Sequence, residues 1–183
     1  TSQEVATATA GVGTSVTWNV RNDFGAVTAA GQGGTLGSAL ADRPSITNEG
    51  VLTRTVAVPA GATRLDVSIG GTSDTGADLD LYVTGPSGEK QSADGDSEEA
   101  VSYTNPTAGI YTITVEGYAV PAGTTTFNYL DVFTSPGLGT LEVNDTSAVL
   151  LAGATRTVTG TLTARTAAAQ GRKLFGQMRF VSD

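Results

Sequence analysis

The sequence predicts an all-β fold, an antiparallel β-sandwich, and three observations carry that prediction. Apolar and polar residues alternate in short runs from Thr14 to Ser182, the two-residue period of strands with one buried face. Turn-forming sequences punctuate the centre of the chain: Pro59-Ala60-Gly61, Gly70-Gly71, Gly85-Pro86-Ser87-Gly88, Asn105-Pro106 and Pro121-Ala122-Gly123. Threonine is abundant and glycine supplies 24 of 183 residues, the balance expected of many strands joined by tight turns.

The elements follow in order. Thr14–Val20 alternates, placing Val16, Trp18 and Val20 on one face, with Trp18 read as a core anchor. Residues 29–45, rich in Gly, Ala and Ser, read as a long loop. Five strands are predicted between residues 51 and 133. Leu52–Val58 is the first, and Thr63–Gly70 puts Leu65, Val67 and Ile69 inward. Asp78–Val83 opposes Leu79, Leu81 and Val83 to Asp78, Asp80 and Tyr82. Tyr111–Val115 buries Tyr111, Ile113 and Val115, and Thr126–Phe133 closes the set. Beyond it, Thr140–Val143, Thr155–Thr163 and Lys173–Ser182 are strand-like, with Gly153 and Gly171 in the turns. Ala167–Ala169 is too short to nucleate a helix.

The pentapeptide Ala-Gly-Ala-Thr-Arg occurs at Ala60–Arg64 and again at Ala152–Arg156, and reads as one hairpin turn used twice. Together these features predict a central sandwich over 51–133. The flanks, 1–50 and 134–183, add up to the size of one immunoglobulin- or fibronectin-III-like sandwich.

Composition excludes much chemistry. With no histidine, Ser-His-Asp triads, Cys-His dyads and nearly every zinc site are ruled out. With no cysteine, disulfides and thiol chemistry go too. Hydrolysis by paired carboxylates stays formally open, without any other mark of a sugar-cleaving cleft. No apolar stretch is long enough for a membrane-spanning helix, and the start at Thr1 reads as that of a processed or excised piece. The net charge of −8 is uneven: residues 66–135 hold eleven acids and one base, Lys90, while both ends are near neutral or basic. An acidic centre argues against nucleic acid as a partner.

Several stretches are similar to one family. Val58-Pro59-Ala60-Gly61-Ala62-Thr63-Arg64-Leu65, Ala-Asp-Leu-Asp-Leu-Tyr-Val at 77–83, Gly-Pro-Ser-Gly at 85–88 and Ala108–Tyr118 together resemble the bacterial pre-peptidase C-terminal (PPC) domain. The flanks look like the sandwich segments beside such domains in secreted subtilisin-like serine proteases. The resemblance implies a jelly-roll-like central sandwich and a non-catalytic accessory region at the C-terminal end of a secreted peptidase. It would aid stability, secretion or substrate targeting, sometimes with bound calcium. The implied partners are the parent catalytic domain and a protein substrate.

The acidic centre supplies candidate ligands. Asp94-Gly95-Asp96-Ser97-Glu98-Glu99 sets carboxylates at i, i+2 and i+4, a spacing resembling the first half of a calcium loop, though not an EF-hand. Asp78 and Asp80 share one strand face, roughly 7 Å apart along the backbone, and Asp74 precedes them. Asp78, Asp80, Asp94, Asp96 and Glu98 are therefore the candidate calcium ligands, against the reading of a solvated acidic surface. Lys90 alone cannot neutralise the nine acids from Asp66 to Glu99. Among the tyrosines at 82, 103, 118 and 129, parity places Tyr82 on the outer face and Tyr118 beyond a strand end. Tyr82 and Tyr118 are the candidate substrate-binding residues. Two other readings stand beside the accessory one: a carbohydrate- or matrix-binding module of another secreted enzyme, and a structural spacer of a surface adhesin.

Overall fold

The computed structural model describes residue 5 and residues 8–182. Its strands are β1 (Gly13–Arg21), β2 (Val27–Gln32), β3 (Gly34–Thr35), β4 (Gly37–Asp42), β5 (Ser45–Thr47) and β6 (Val51–Val58). Next come β7 (Arg64–Gly70), β8 (Asp78–Gly85), β9 (Gly88–Ser92), β10 (Ala100–Thr104), β11 (Gly109–Ala119) and β12 (Thr124–Thr126). The chain ends with β13 (Asn128–Thr134), β14 (Gly139–Val143), β15 (Ala148–Leu150), β16 (Thr155–Ala164), β17 (Lys173–Phe175) and β18 (Arg179–Ser182). A single 3-10 turn at Pro136–Leu138 is the one helical element among the described residues. The protein is all-β, built from antiparallel sheets.

The chain divides into two compact units. The first takes Thr1–Gly37, Pro136–Ala168 and Leu174–Asp183. Its sheets run β1-β16-β14-β3 and β15-β2-β18. β1 and β16 pair in unbroken register from Gly13↔Thr163 to Arg21↔Thr155. Val16, Leu36, Leu141 and Ala164 form the core, with Trp18 partly buried against it. The two sheets come close at Gly31, where a Cβ would lie 2.8 Å from a Val158 methyl, so a larger residue there would force Val158 to shift. Arg156 clasps this unit from inside, bonding the Ala29 carbonyl at 3.1 Å and pairing with Asp145.

The second unit takes Ser38–Ser135 and Ala169–Lys173. One sheet runs β10-β7-β13-β4 and the other β6-β11-β8-β9, with β12 and β5 paired beside them. The predicted parities set the interior: Leu65, Val67, Ile69, Leu79, Leu81, Val83, Tyr111, Ile113 and Val115 are all buried. Phe127, Tyr129 and Phe133 from the last strand region join them. Burying this many large apolar side chains, at about 1.5–3 kcal/mol each, is the main favourable term of the fold.

Three sequence expectations need correction. Residues 29–45 are not a loop: they contribute to β2, β3, β4 and β5. Gly33 lies where two backbones approach closely: a Cβ there would fall 1.9 Å from the Leu141 carbonyl oxygen. Between 51 and 133 there are eight strands, because β9, β10 and β12 join the five expected. Lys173–Ser182 is broken into β17 and β18 around Gly176, whose position leaves 3.0 Å between an added Cβ and Leu36.

The repeated pentapeptide does not make hairpins either. β6 and β7 lie in different sheets, as do β15 and β16. Each copy carries the chain across from one sheet to another. Gly61 and Gly153 share the same left-handed backbone, φ 76° in both, a conformation that glycine adopts without steric cost. The Ala62 and Ala154 N–H groups close the two turns onto the Pro59 and Leu151 carbonyls at 3.3 and 3.1 Å.

Candidate metal centre

β8 and the loop between β9 and β10 build the site. The inward Leu79, Leu81 and Val83 fix the strand, which turns Asp78, Asp80 and Tyr82 to its other face. The loop is stitched to that strand where the Leu79 N–H donates to the Asp96 carbonyl at 3.0 Å. Glu99, only 1% exposed, anchors the loop from beneath. Its carboxylate accepts the Asp94 N–H at 2.9 Å and the Ser92 hydroxyl. As a result, ligand oxygens of Asp94, Asp96 and Glu99 lie within 4.8 Å of one another.

Asp78 faces the same cluster. Burial raises its pKa first, and the charges of Asp80, Glu99, Asp94 and Asp96 raise it further. Its Oδ1 is buried with no hydrogen-bond partner among the described residues. Asp80 is 8% exposed and accepts the Tyr82 hydroxyl at 3.1 Å. Lys90 does not relieve this crowding: its ammonium donates to the Ser102 carbonyl at 2.7 Å and lies over the Tyr103 ring. A hard divalent cation suits the arrangement, since all donors are oxygens, their charges repel, and one buried oxygen lacks a partner.

The remaining candidates are placed differently. Glu98 turns away, accepting the Gly71 N–H at 2.9 Å and the Ser97 hydroxyl at 3.0 Å. The first of these bonds does most to hold its carboxyl below the usual range. Glu99, its neighbour, occupies the position that the i, i+2, i+4 spacing gave to Glu98. The burial of Glu99 was the missing signal, and strand parity in β10, with Val101 and Tyr103 inward, points back to it. Asp74 serves turns, accepting the Gly76 and Ala122 N–H groups at 3.1 and 2.8 Å.

Among the tyrosines, Tyr82 is half-buried in the outer face of β8. Tyr118 lies within β11 rather than beyond it, 68% exposed where the register with β8 shifts. Tyr103 and Tyr129 belong to the core. Tyr103 donates to the Val83 carbonyl at 2.8 Å and meets Tyr111 edge-on, their centroids 5.2 Å apart. No helix among the described residues is long and apolar enough to cross a membrane.

Comparison with known families adds the context of these residues. Residues 50–117 match the bacterial pre-peptidase C-terminal domain. The matched span contains every acid of the candidate centre. A wider likeness runs to pyrolysin of Pyrococcus furiosus, 29% identical over 156 residues, covering 81% of this chain and 11% of pyrolysin. The chain thus spans about a tenth of that relative's length. Among solved structures, the periplasmic lysozyme inhibitor PliG of Aeromonas hydrophila aligns at TM-score 0.37 and 20% identity, over 52% of this chain and 86% of PliG. A Bacillus licheniformis lipase in its propeptide form aligns at TM-score 0.37 and 13% identity, over 79% of this chain and 41% of the lipase. These two scores are too low to bear on function.

Proposed function

We propose that this chain is a non-catalytic accessory region of a secreted subtilisin-like serine protease, whose pre-peptidase C-terminal domain is stabilised by calcium. The ligands are drawn from Asp78, Asp80, Asp94, Asp96 and Glu99. The observation that carries this reading is the convergence of Asp94, Asp96 and Glu99 oxygens within 4.8 Å of one another, beside an Asp78 whose buried Oδ1 has no partner among the described residues and which feels their charges. The matches to the pre-peptidase C-terminal domain and to pyrolysin support the protease context. When bound, the ion would supply the positive charge that the cluster lacks and tie the β9–β10 loop to β8. Millimolar extracellular calcium would fill even a weak site. Tyr82 and the exposed Tyr118 would offer the outer face to a polypeptide substrate of the parent enzyme.

Thermal unfolding at fixed ionic strength, with calcium and with a chelator, tests the calcium reading. The midpoint should rise with calcium, by an amount that grows with free ion. An unchanged midpoint in protein shown to be metal-free by elemental analysis would remove calcium from the proposal.

A further inference from the structure

We propose that Thr166–Gly171 is an endoproteolytic processing site, cut in the folded chain by a serine endopeptidase of broad specificity, and that the cut chain stays assembled. An endopeptidase must draw several residues into an extended conformation, so it selects segments whose backbone is least committed. This segment, between β16 and β17, is exposed throughout except for a half-buried Ala168. Thr166, Ala167, Ala168, Gln170 and Gly171 make no hydrogen bond among the described residues.

The other long connections are tied down. In the β9–β10 loop the N–H groups of Asp94, Asp96 and Glu98 all have partners. Between β7 and β8 those of Gly71, Ser73, Asp74, Gly76 and Ala77 do as well. The Ala167–Ala169 run offers small side chains that a broad-specificity enzyme accepts. Cleavage is simple hydrolysis: water adds to a peptide carbonyl carbon, the C–N bond breaks, and a carboxylate and an ammonium remain.

Both cut ends are anchored. Upstream, β16 pairs with β1 from Thr155 to Thr163 and with β14 through Ala164. Downstream, Arg172 donates to Asp131 at 2.5 Å and to the hydroxyl and carbonyl of Ser38, each at 2.8 Å. Further on, β18 pairs with β2 from Arg179↔Gln32 to Ser182↔Ala29.

The test is limited proteolysis of the full chain with subtilisin and, separately, with trypsin, read by mass spectrometry under native and denaturing conditions. Subtilisin should cut first within Thr166–Gly171. Trypsin should cut first after the exposed Arg165 and spare the bond after Arg172, whose guanidinium is occupied. In both digests the pieces should travel as one species natively and separate in denaturant. Ala168→Pro should abolish the subtilisin cut without lowering the unfolding midpoint. A first cut in any other loop, or native loss of the C-terminal piece from the wild-type chain, would overturn the proposal.

Discussion

The Tyr82 hydroxyl donates to Asp80 Oδ2 across 3.1 Å, so the aromatic candidate touches one of the candidate metal ligands. Burial, then the hydrogen bond and charge of Asp80, raise the Tyr82 pKa, which keeps the phenol protonated as a donor. Tyr82→Phe removes that donor and leaves Asp80 less compensated. The metal-free midpoint should fall by about 2–4 °C, the equivalent of ~1 kcal/mol for a chain of this size. Calcium should restore more of the loss than it adds to the wild type. Paired melting curves with calcium and with chelator check this; an equal drop in both would separate Tyr82 from the ion.

The pH dependence follows from two acids with opposite shifts. Asp78 has a raised pKa in the folded chain, chiefly through burial. Folded protein therefore holds that proton more tightly. Its stabilising contribution is complete below the ordinary carboxylate range and is lost as pH rises through the raised pKa. Asp78→Asn should raise the metal-free midpoint at neutral pH and shrink the calcium response. Glu98, held low mainly by the Gly71 N–H, contributes above the ordinary range and loses that contribution as pH falls through its lowered pKa. Glu98→Gln should lower the midpoint at neutral pH and have little effect in acid. Melting curves across this range for both variants read the two slopes, and slopes of one sign would contradict the assignment.

Arg172 and Asp131 form a nearly buried pair, 11% and 1% exposed at the side chain. Removing one partner strands a charge, at a cost of about 3–5 kcal/mol. Arg172→Met should show that loss in denaturant titration. Adding Asp131→Asn should recover part of it, because the amide oxygen still accepts from Tyr129, now bonded to Asp131 at 3.1 Å. No recovery would mean that packing over Phe133, rather than charge, is what Arg172 supplies.

The two pentapeptide turns make a matched pair for backbone strain. Gly61→Ala and Gly153→Ala meet no atom within 4 Å, so each cost should be the left-handed penalty alone, roughly 1–2 kcal/mol. Gly85→Ala differs: its Cβ would lie 2.3 Å from the buried Tyr111 ring. Its loss should exceed both in equilibrium unfolding.

The sequence was legible wherever bulky apolar residues alternated. Leu79, Leu81 and Val83 declared both their strand and its faces, because large side chains must be buried and a strand offers only two directions. β2 to β5 were illegible for the opposite reason. Their buried positions include Ala29, Gly31 and Ser38, small residues that resemble those of a loop. β9 shows no apolar side at all and exists only as a partner to β8. In the candidate centre, the spacing singled out a hexapeptide from which the fold brings Asp94 and Asp96 together with Glu99. The choice between Glu98 and Glu99 depended on which carboxylate the loop folds beneath, a tertiary fact.

The family span ends at Gly117, inside β11, and so leaves out β13. β13 is the neighbour that covers β7 from Asn128↔Gly70 to Thr134↔Arg64. A recombinant fragment trimmed to that span would present β7 as a raw sheet edge beside an uncovered apolar layer, inviting edge-to-edge aggregation. Expression boundaries for this domain should be drawn by the sheet that completes it, with Arg172 retained to neutralise Asp131.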